Sequence, residues 1–231
     1  MLMCHDAGFD DLQSIASKVR NLFPEGVAIA VSDPKAPARG LFPAETRIVE
    51  NAIERRRCEF AAGRRAARQA MAELGVVQQP VLSSDDRAPI WPDGLVGSIS
   101  HTGDFCIAAV ARADQYRSLG VDIEDSTPLE ASLFEAICRP EELNWLKRQP
   151  RSERGLLAKL IFSAKEAAYK CQYPLTRRVF GFDGMTVEPN LSMQTFVAMI
   201  RNVTGCTGMP NRFTGRFHLD IGVMVCTVTL E

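Results

Sequence analysis

The sequence has no run approaching the roughly 20 apolar residues that a membrane-spanning helix needs. It also has no excess of either charge: 27 Lys and Arg stand against 28 Asp and Glu, a net charge of −1 over 231 residues. A balanced chain offers no global attraction to nucleic acid or anionic lipid, so neither partner is expected and any polyanion site has to be local. Histidine is scarce. His5, His101 and His218 have no close Cys or His neighbour, which argues against structural zinc and leaves carboxylates to hold any metal. The seven cysteines (Cys4, Cys58, Cys106, Cys138, Cys171, Cys206, Cys226) are odd in number, scattered and never in a CxxC pair, as reduced thiols are. Cys4, His5, Asp6, Asp10 and Asp11 stand where a signal peptide would be basic then apolar, so the expected location is cytoplasmic. No GxSxG, P-loop or GxGxxG motif, fixed-period repeat or low-complexity tract is present.

What is present suits a folded chain of one large domain or two small ones, with 46% hydrophobic and 24% charged residues. Asp10 to Phe23 reads as a short amphipathic helix, and Val27 to Val31 as a buried strand. Glu45 to Leu74 is rich in Ala, Glu, Arg and Met and ends at Gly75, which predicts one long helix. SISHT and FCIAAVA predict two short strands around Gly103 and Asp104, and LGVDIE a third at Leu119 to Glu124. Helices are expected from Leu129 to about Leu146 and from about Glu153 to Cys171, then antiparallel strands, notably Phe217 to Leu230. Helices and strands mix without regular βαβ alternation, so the class is α+β. A boundary falls near residues 112–118, dividing the chain into halves 1–114 and 115–231.

Four clusters carry possible chemistry. Asp122 and Glu124 lie two apart on a strand, so both carboxylates project from one face. A solvated strand end explains such a pair as well as a Mg²⁺ site does. On the helix that carries FSAKEAAYK (Phe162 to Lys170), Leu157, Leu160, Ile161, Ala164 and Ala168 form an apolar stripe, with Glu166 and Lys170 nearly opposite it. An exposed i,i+4 ion pair is the plain reading, but Phe162 shares that outer face and favours a helix lining a cleft. Between residues 51 and 70 six arginines oppose Glu54 and Glu59, and Arg57, Arg64 and Arg68 form a stripe with Arg56 beside it. This is either a solvated basic face or a phosphate site, and mid-helix Gly63 points to close approach by another backbone or a ligand. Finally, GSISHT (Gly97 to Thr102) has small residues and polar side chains able to wrap a phosphate as a turn, although a lone His more often caps a turn.

In this order along one chain, RRCEFAAGR (Arg56 to Arg64), RAPIWPDGLVGSISH (Arg87 to His101), GVDIE and FSAKEAAYK strongly resemble the 4′-phosphopantetheinyl transferases. The closest likeness is to the monomeric branch that includes the enterobactin synthetase component D type and actinobacterial enzymes. It spans about Arg56 to Val187. The resemblance implies transfer of 4′-phosphopantetheine from coenzyme A to a serine of an apo acyl or peptidyl carrier protein, releasing adenosine 3′,5′-bisphosphate. It implies two similar α+β halves with pseudo-twofold symmetry and coenzyme A between them. It also implies Mg²⁺, or Mn²⁺, on Asp122, Glu124 and Glu166, with Glu166 or a base it positions taking the serine proton. Lys170 and Lys165 correspond to cations near the phosphates. Ser100, His101, Arg64 and Arg56 correspond to contacts of the 3′-phosphate, joined by Arg87. Ile123 departs from relatives that carry a polar residue there, so water or substrate oxygen would complete the metal shell. The basic cluster Lys147, Arg148, Arg151 and Arg154 faces either an acidic carrier helix or solvent. A different Mg²⁺-dependent phosphotransferase and a silent coenzyme A binder are the rival readings.

Overall fold

The computed structural model describes residues 9–201, 210–220 and 222–231. It has the expected α+β class and divides into two compact units at Leu119–Gly120.

In the first unit, α1 (Phe9–Arg20) and β1 (Ala28–Ser32) precede α2 (Pro43–Val49) and α3 (Glu54–Glu73). The short strands β2 (Leu82–Ser83) and β3 (Pro89–Ile90) then pair with each other, ahead of β4 (Leu95–His101) and β5 (Cys106–Arg112). The three-stranded sheet has the order β1-β5-β4 and is antiparallel throughout, with His101 opposite Cys106 at the hairpin end. α3 lies against this sheet through Ala66, Ala67 and Ala70, which pack with Ala28, Ala30 and Ala108. Small side chains on both surfaces bring helix and sheet close together. Gly63 serves the same end: a Cβ built there would lie 3.1 Å from Ile99 Cγ2 of β4.

The single long helix expected from Glu45 to Leu74 is two helices. α2 stops at its C-cap, Glu50, and Ile53 adopts an extended conformation (ψ 156°) before α3 begins. No Gly or Pro marks the break. GSISHT is likewise not a phosphate-wrapping turn. Its first five residues lie in β4 and pair residue by residue with β5, and the turn begins only at Thr102, whose N–H donates to Phe105 O at 2.8 Å.

The second unit takes in nearly all of β6 (Ser118–Asp125). It continues through a 3₁₀ turn (Ala131–Leu133), α4 (Phe134–Ile137), α5 (Pro140–Lys147) and α6 (Arg154–Thr176). Four strands close it: β7 (Met185–Asn190), β8 (Thr195–Ile200), β9 (Arg212–Asp220) and β10 (Val223–Leu230). The sheet order is β6-β10-β9-β8-β7. The expected apolar stripe of α6 is buried in full, and with Cys171 it packs on Met185, Phe196, Phe217 and Met224. α6 runs on past Cys171, through Pro174, to a left-handed C-cap at Arg177 (φ 54°). The helix expected from Leu129 to Leu146 is interrupted at Cys138 and Arg139, because Pro140 opens α5 as its first residue, where a missing N–H costs nothing.

Each unit contains a buried carboxylate at the third position of a short, proline-initiated helix. Glu45 in α2 accepts from Phe42 N and Val81 N, each at 2.9 Å, and from Arg68 Nη1 of α3, also at 2.9 Å. Glu142 in α5 accepts from Arg139 N and Val187 N, each at 2.6 Å, and from Lys165 Nζ of α6 at 2.7 Å. Both glutamates thus cap their own helix, hold a later backbone segment and bind a cation of the following long helix. Removing one partner leaves a buried charge uncompensated. Glu45→Ala is expected to lower stability by about 3–5 kcal/mol, measured by urea unfolding.

Candidate functional site

In the second unit the two acids of GVDIE and the outer face of α6 come together because β6 reaches the helix without a side chain between them. A Cβ on Gly120 would stand 1.9 Å from Ala167 O, so only glycine fits. Two residues along, Asp122 is buried and its Oδ1 accepts from Lys170 Nζ at 2.6 Å. Lys170 therefore reaches across from the helix to the strand. Asp125, at the end of β6, accepts from Lys159 Nζ of α6 at 2.6 Å and is held below its ordinary pKa: burial opposes this, and the hydrogen bonds from Lys159 and Thr127 outweigh it.

The electrostatics centre on Asp122. Burial first, then the Asp122 charge, push the Glu124 carboxyl up to about 7, while Lys159 and Lys170 pull it back. Burial also raises Glu166, which Asp122 raises further and Lys170 lowers. Asp122 thus acts on both glutamates. Among the described residues, no group of three or more His, Cys, Asp or Glu side chains is close enough to hold a metal ion. The donor set nevertheless fits a hard divalent cation, which needs only one or two carboxylates and takes its other oxygens from water and phosphate. Crowded, half-buried acids gain most from such a charge.

The expectation that Lys165 faces the phosphates fails. Lys165 is 2% exposed, and its three protons go to Glu142 Oε2 at 2.7 Å, Ile137 O at 2.8 Å and Phe182 O at 2.9 Å. Its neighbours instead form a cavity of about 130 Å³ beside Glu166, walled by Tyr169, Phe180, Phe182 and Met185. Tyr169 meets Phe180 edge-on at 5.4 Å. Sequence reasoning missed these aromatics, although Tyr169 belongs to the FSAKEAAYK motif and GFDG follows shortly after it.

In the first unit Gly63 brings α3 close to β4 at Ile99, the residue before Ser100 and His101. Ser100 is buried and His101 exposed. Arg64 is 6% exposed. Its Nε donates to Val81 O at 2.8 Å, its Nη2 to Leu82 O and Ser83 Oγ, and its guanidinium lies 3.8 Å over the Phe60 ring. Burial lowers its pKa to about 10. Arg64 therefore ties β2 to α3, and only its Nη1 donors remain for an anion. The expected stripe of Arg57, Arg64 and Arg68 is not a solvent-facing cationic surface, since Arg68 is committed to Glu45 and to Gly40 O at 2.7 Å. Arg56 is exposed, 3.7 Å from Glu59. Arg87 is exposed in a turn, with φ 68° and its N–H on Ser84 O at 2.8 Å.

Comparison with known proteins decides the family. The 4′-phosphopantetheinyl transferase N-terminal domain matches residues 44–111, and the 4′-phosphopantetheinyl transferase superfamily matches residues 118–207. The chain belongs to that superfamily. It is 36% identical over 165 residues to the 4′-phosphopantetheinyl transferase Npt of Nocardia iowensis, covering 71% of this chain and 73% of the relative. The transferase is also 36% identical over 191 residues to PptT of Mycobacterium tuberculosis, with 82% and 76% covered. It is 38% identical over 124 residues to enterobactin synthase component D of Salmonella typhi, with 53% and 50% covered. Its activity is the transfer of phosphopantetheine from coenzyme A to carrier proteins, which sets aside both rival readings. No helix among the described residues is long and apolar enough to cross a membrane.

Two outcomes test the site's electrostatics. Lys165→Met should lower the transferase's stability by about 3–5 kcal/mol in thermal or urea unfolding, while the folded fraction keeps its affinity for coenzyme A by calorimetry. Glu124 is raised in the folded state, so its contribution to stability is complete below the ordinary carboxylate pKa and is lost as pH rises through about 7. With chelator present, Glu124→Gln should match the parent at pH 4 and become the more stable protein by pH 8. A gap independent of pH would contradict the assignment.

Proposed function

We propose that the second unit carries the transfer chemistry, with Asp122 and Glu124 holding a divalent cation, Mg²⁺ or Mn²⁺, and Glu166 taking the proton of the carrier serine. The observation that carries this reading is the coupling of Asp122 to Glu124, Glu166 and Lys170 at one backbone crossing. When bound, the cation supplies Lewis-acid polarisation of the pyrophosphate oxygens.

The remaining work falls to side chains. The serine hydroxyl gives its proton to Glu166, whose burial moves it toward the working pH and makes it a better base than an ordinary carboxylate. The serine oxygen forms a bond to the β-phosphorus of coenzyme A. The bond from that phosphorus to the bridging oxygen breaks, and its electron pair leaves with adenosine 3′,5′-bisphosphate. Lys170 offsets the charge that develops on the leaving group. The cavity beside Glu166 suits part of the pantetheine arm, whose dimethyl group is apolar.

Ser100, His101, Arg56, Arg87 and the Nη1 donors of Arg64 contact the 3′-phosphate in this reading. Acyl or peptidyl carrier domains, including those of siderophore synthesis, are the acceptors. The enzyme acts as a cytoplasmic monomer, in keeping with the buried thiols of Cys58, Cys106, Cys138, Cys171 and Cys226.

The test is direct. Incubation with coenzyme A, Mg²⁺ and an apo carrier should give a phosphopantetheine mass gain on the carrier serine. Glu166→Gln should lower kcat by about 10²–10⁴ with coenzyme A affinity retained. Near-normal turnover of that variant at saturating Mg²⁺ would remove Glu166 from the role of base.

A further inference from the structure

Gly120 fixes the spacing of β6 and α6 at Ala167, but contact at one point does not set the angle at which strand and helix cross. β6 lies at the end of its sheet, beside β10, so its other edge takes no support from a strand of that sheet. A second attachment to α6 lies beyond the acids. Lys159 of α6 is 8% exposed, and its Nζ donates to Asp125 Oδ1 at 2.6 Å and to the main-chain Asp125 O at 3.1 Å. The two attachments are five residues apart on β6, about 17 Å, and eight apart on α6, about 12 Å. Asp122 and Glu124 fall between them, and Lys159 stands seven residues before Glu166, two turns back on the same helix face.

The segment after Glu124 is tied down a second way. Asp125 Oδ1 also accepts from Thr127 N at 2.8 Å. Ser126 exchanges two hydrogen bonds with Gly222 of the β9–β10 turn, its Oγ accepting at 2.7 Å and its N–H donating at 3.3 Å. The main chain that leaves Glu124 is thus held from α6 and from the turn at once. The Asp125 side chain is 57% exposed and needs no buried counterion, whereas the ammonium of Lys159 is taken out of water. A lysine buried to hold a main-chain carbonyl together with a solvated acid serves geometry. Its charge has the wrong sign for a cation site: burial and Asp122 raise the Glu124 carboxyl, and Lys159 leads the groups that lower it.

We propose that Lys159 is a positioning residue of the cation site, which holds the Glu124 carboxylate beside Asp122 by pinning Asp125 to α6. The inference rests on the reading above that Asp122 and Glu124 hold the cation.

The two roles open to Lys159 carry opposite signs. As a charge it repels a divalent ion, so its removal tightens binding. As a pin it fixes a ligand, so its removal weakens binding. Mn²⁺ is titrated into the enzyme saturated with coenzyme A, without carrier, and the free ion is followed by electron paramagnetic resonance. Lys159→Met and the milder Lys159→Gln should bind Mn²⁺ roughly 10–100-fold more weakly. Asp125→Asn, which keeps the Oδ1 acceptor for Lys159 and Thr127, should stay near the parent. With an apo carrier present, the Mg²⁺ concentration for half-maximal rate should rise in the lysine variants while kcat at saturating Mg²⁺ holds. Mn²⁺ binding by both lysine variants equal to or tighter than the parent's, or a greater loss in Asp125→Asn than in either, would overturn the proposal. Failure of the underlying reading shows separately, as full Mn²⁺ affinity in Glu124→Gln.

Discussion

Each unit is organised by a glutamate removed from water at the start of a short helix. Glu45 and Glu142 each satisfy their own N-cap N–H, a backbone N–H of a later segment and a cation of the next long helix. An ionised carboxylate in such surroundings is tolerated only when all its acceptor capacity is used. The two clamps therefore fix α2 to α3 and α5 to α6 by necessity. They are also the same device used twice: a proline opens the helix, a glutamate stands two residues later, and a long helix supplies the cation.

Once α6 is held, the acids of β6 are brought against its outer face by the backbone crossing at Gly120. The assembly costs stability, since burial and mutual repulsion both raise the carboxylates toward their neutral form. That cost is characteristic of a site kept for chemistry, where perturbed carboxylates concentrate. Lys170 and Lys159 reduce it without cancelling it. In the first unit the corresponding economy is at Arg64, which secures the chain at Val81 and Leu82 before any anion is considered.

Much of this was legible in the residues themselves. The apolar stripe of α6 announced its buried face, and the alternation in LGVDIE placed Asp122 and Glu124 on one side of a strand. The hairpin around Gly103 followed from its turn residues. The misreadings have physical causes. Between α2 and α3 only Asn51, a residue that favours helix ends, hints at the break, and Ile53 turns extended while 73% exposed. SISHT reads as a strand and is one, whereas the phosphate-wrapping turn that the same small residues suggested is excluded by their pairing with β5. Lys165 was misplaced because lysine is ordinarily solvated, and the partner that buries it, Glu142, is 23 residues away. Its signal was present in part: proline followed two residues later by glutamate, at Pro43 and Pro140 alike, marks a capped helix start.

The crossing at Gly120 has a further consequence. Because it joins main chain to main chain, the gap between β6 and α6 is set by two backbones and is indifferent to the side chains packed around it. Around that contact, the packing of α6 on the sheet still sets how the helix is tilted, but a bulkier neighbour cannot bring strand and helix any closer. A single methyl group at that one position would do what many core substitutions cannot.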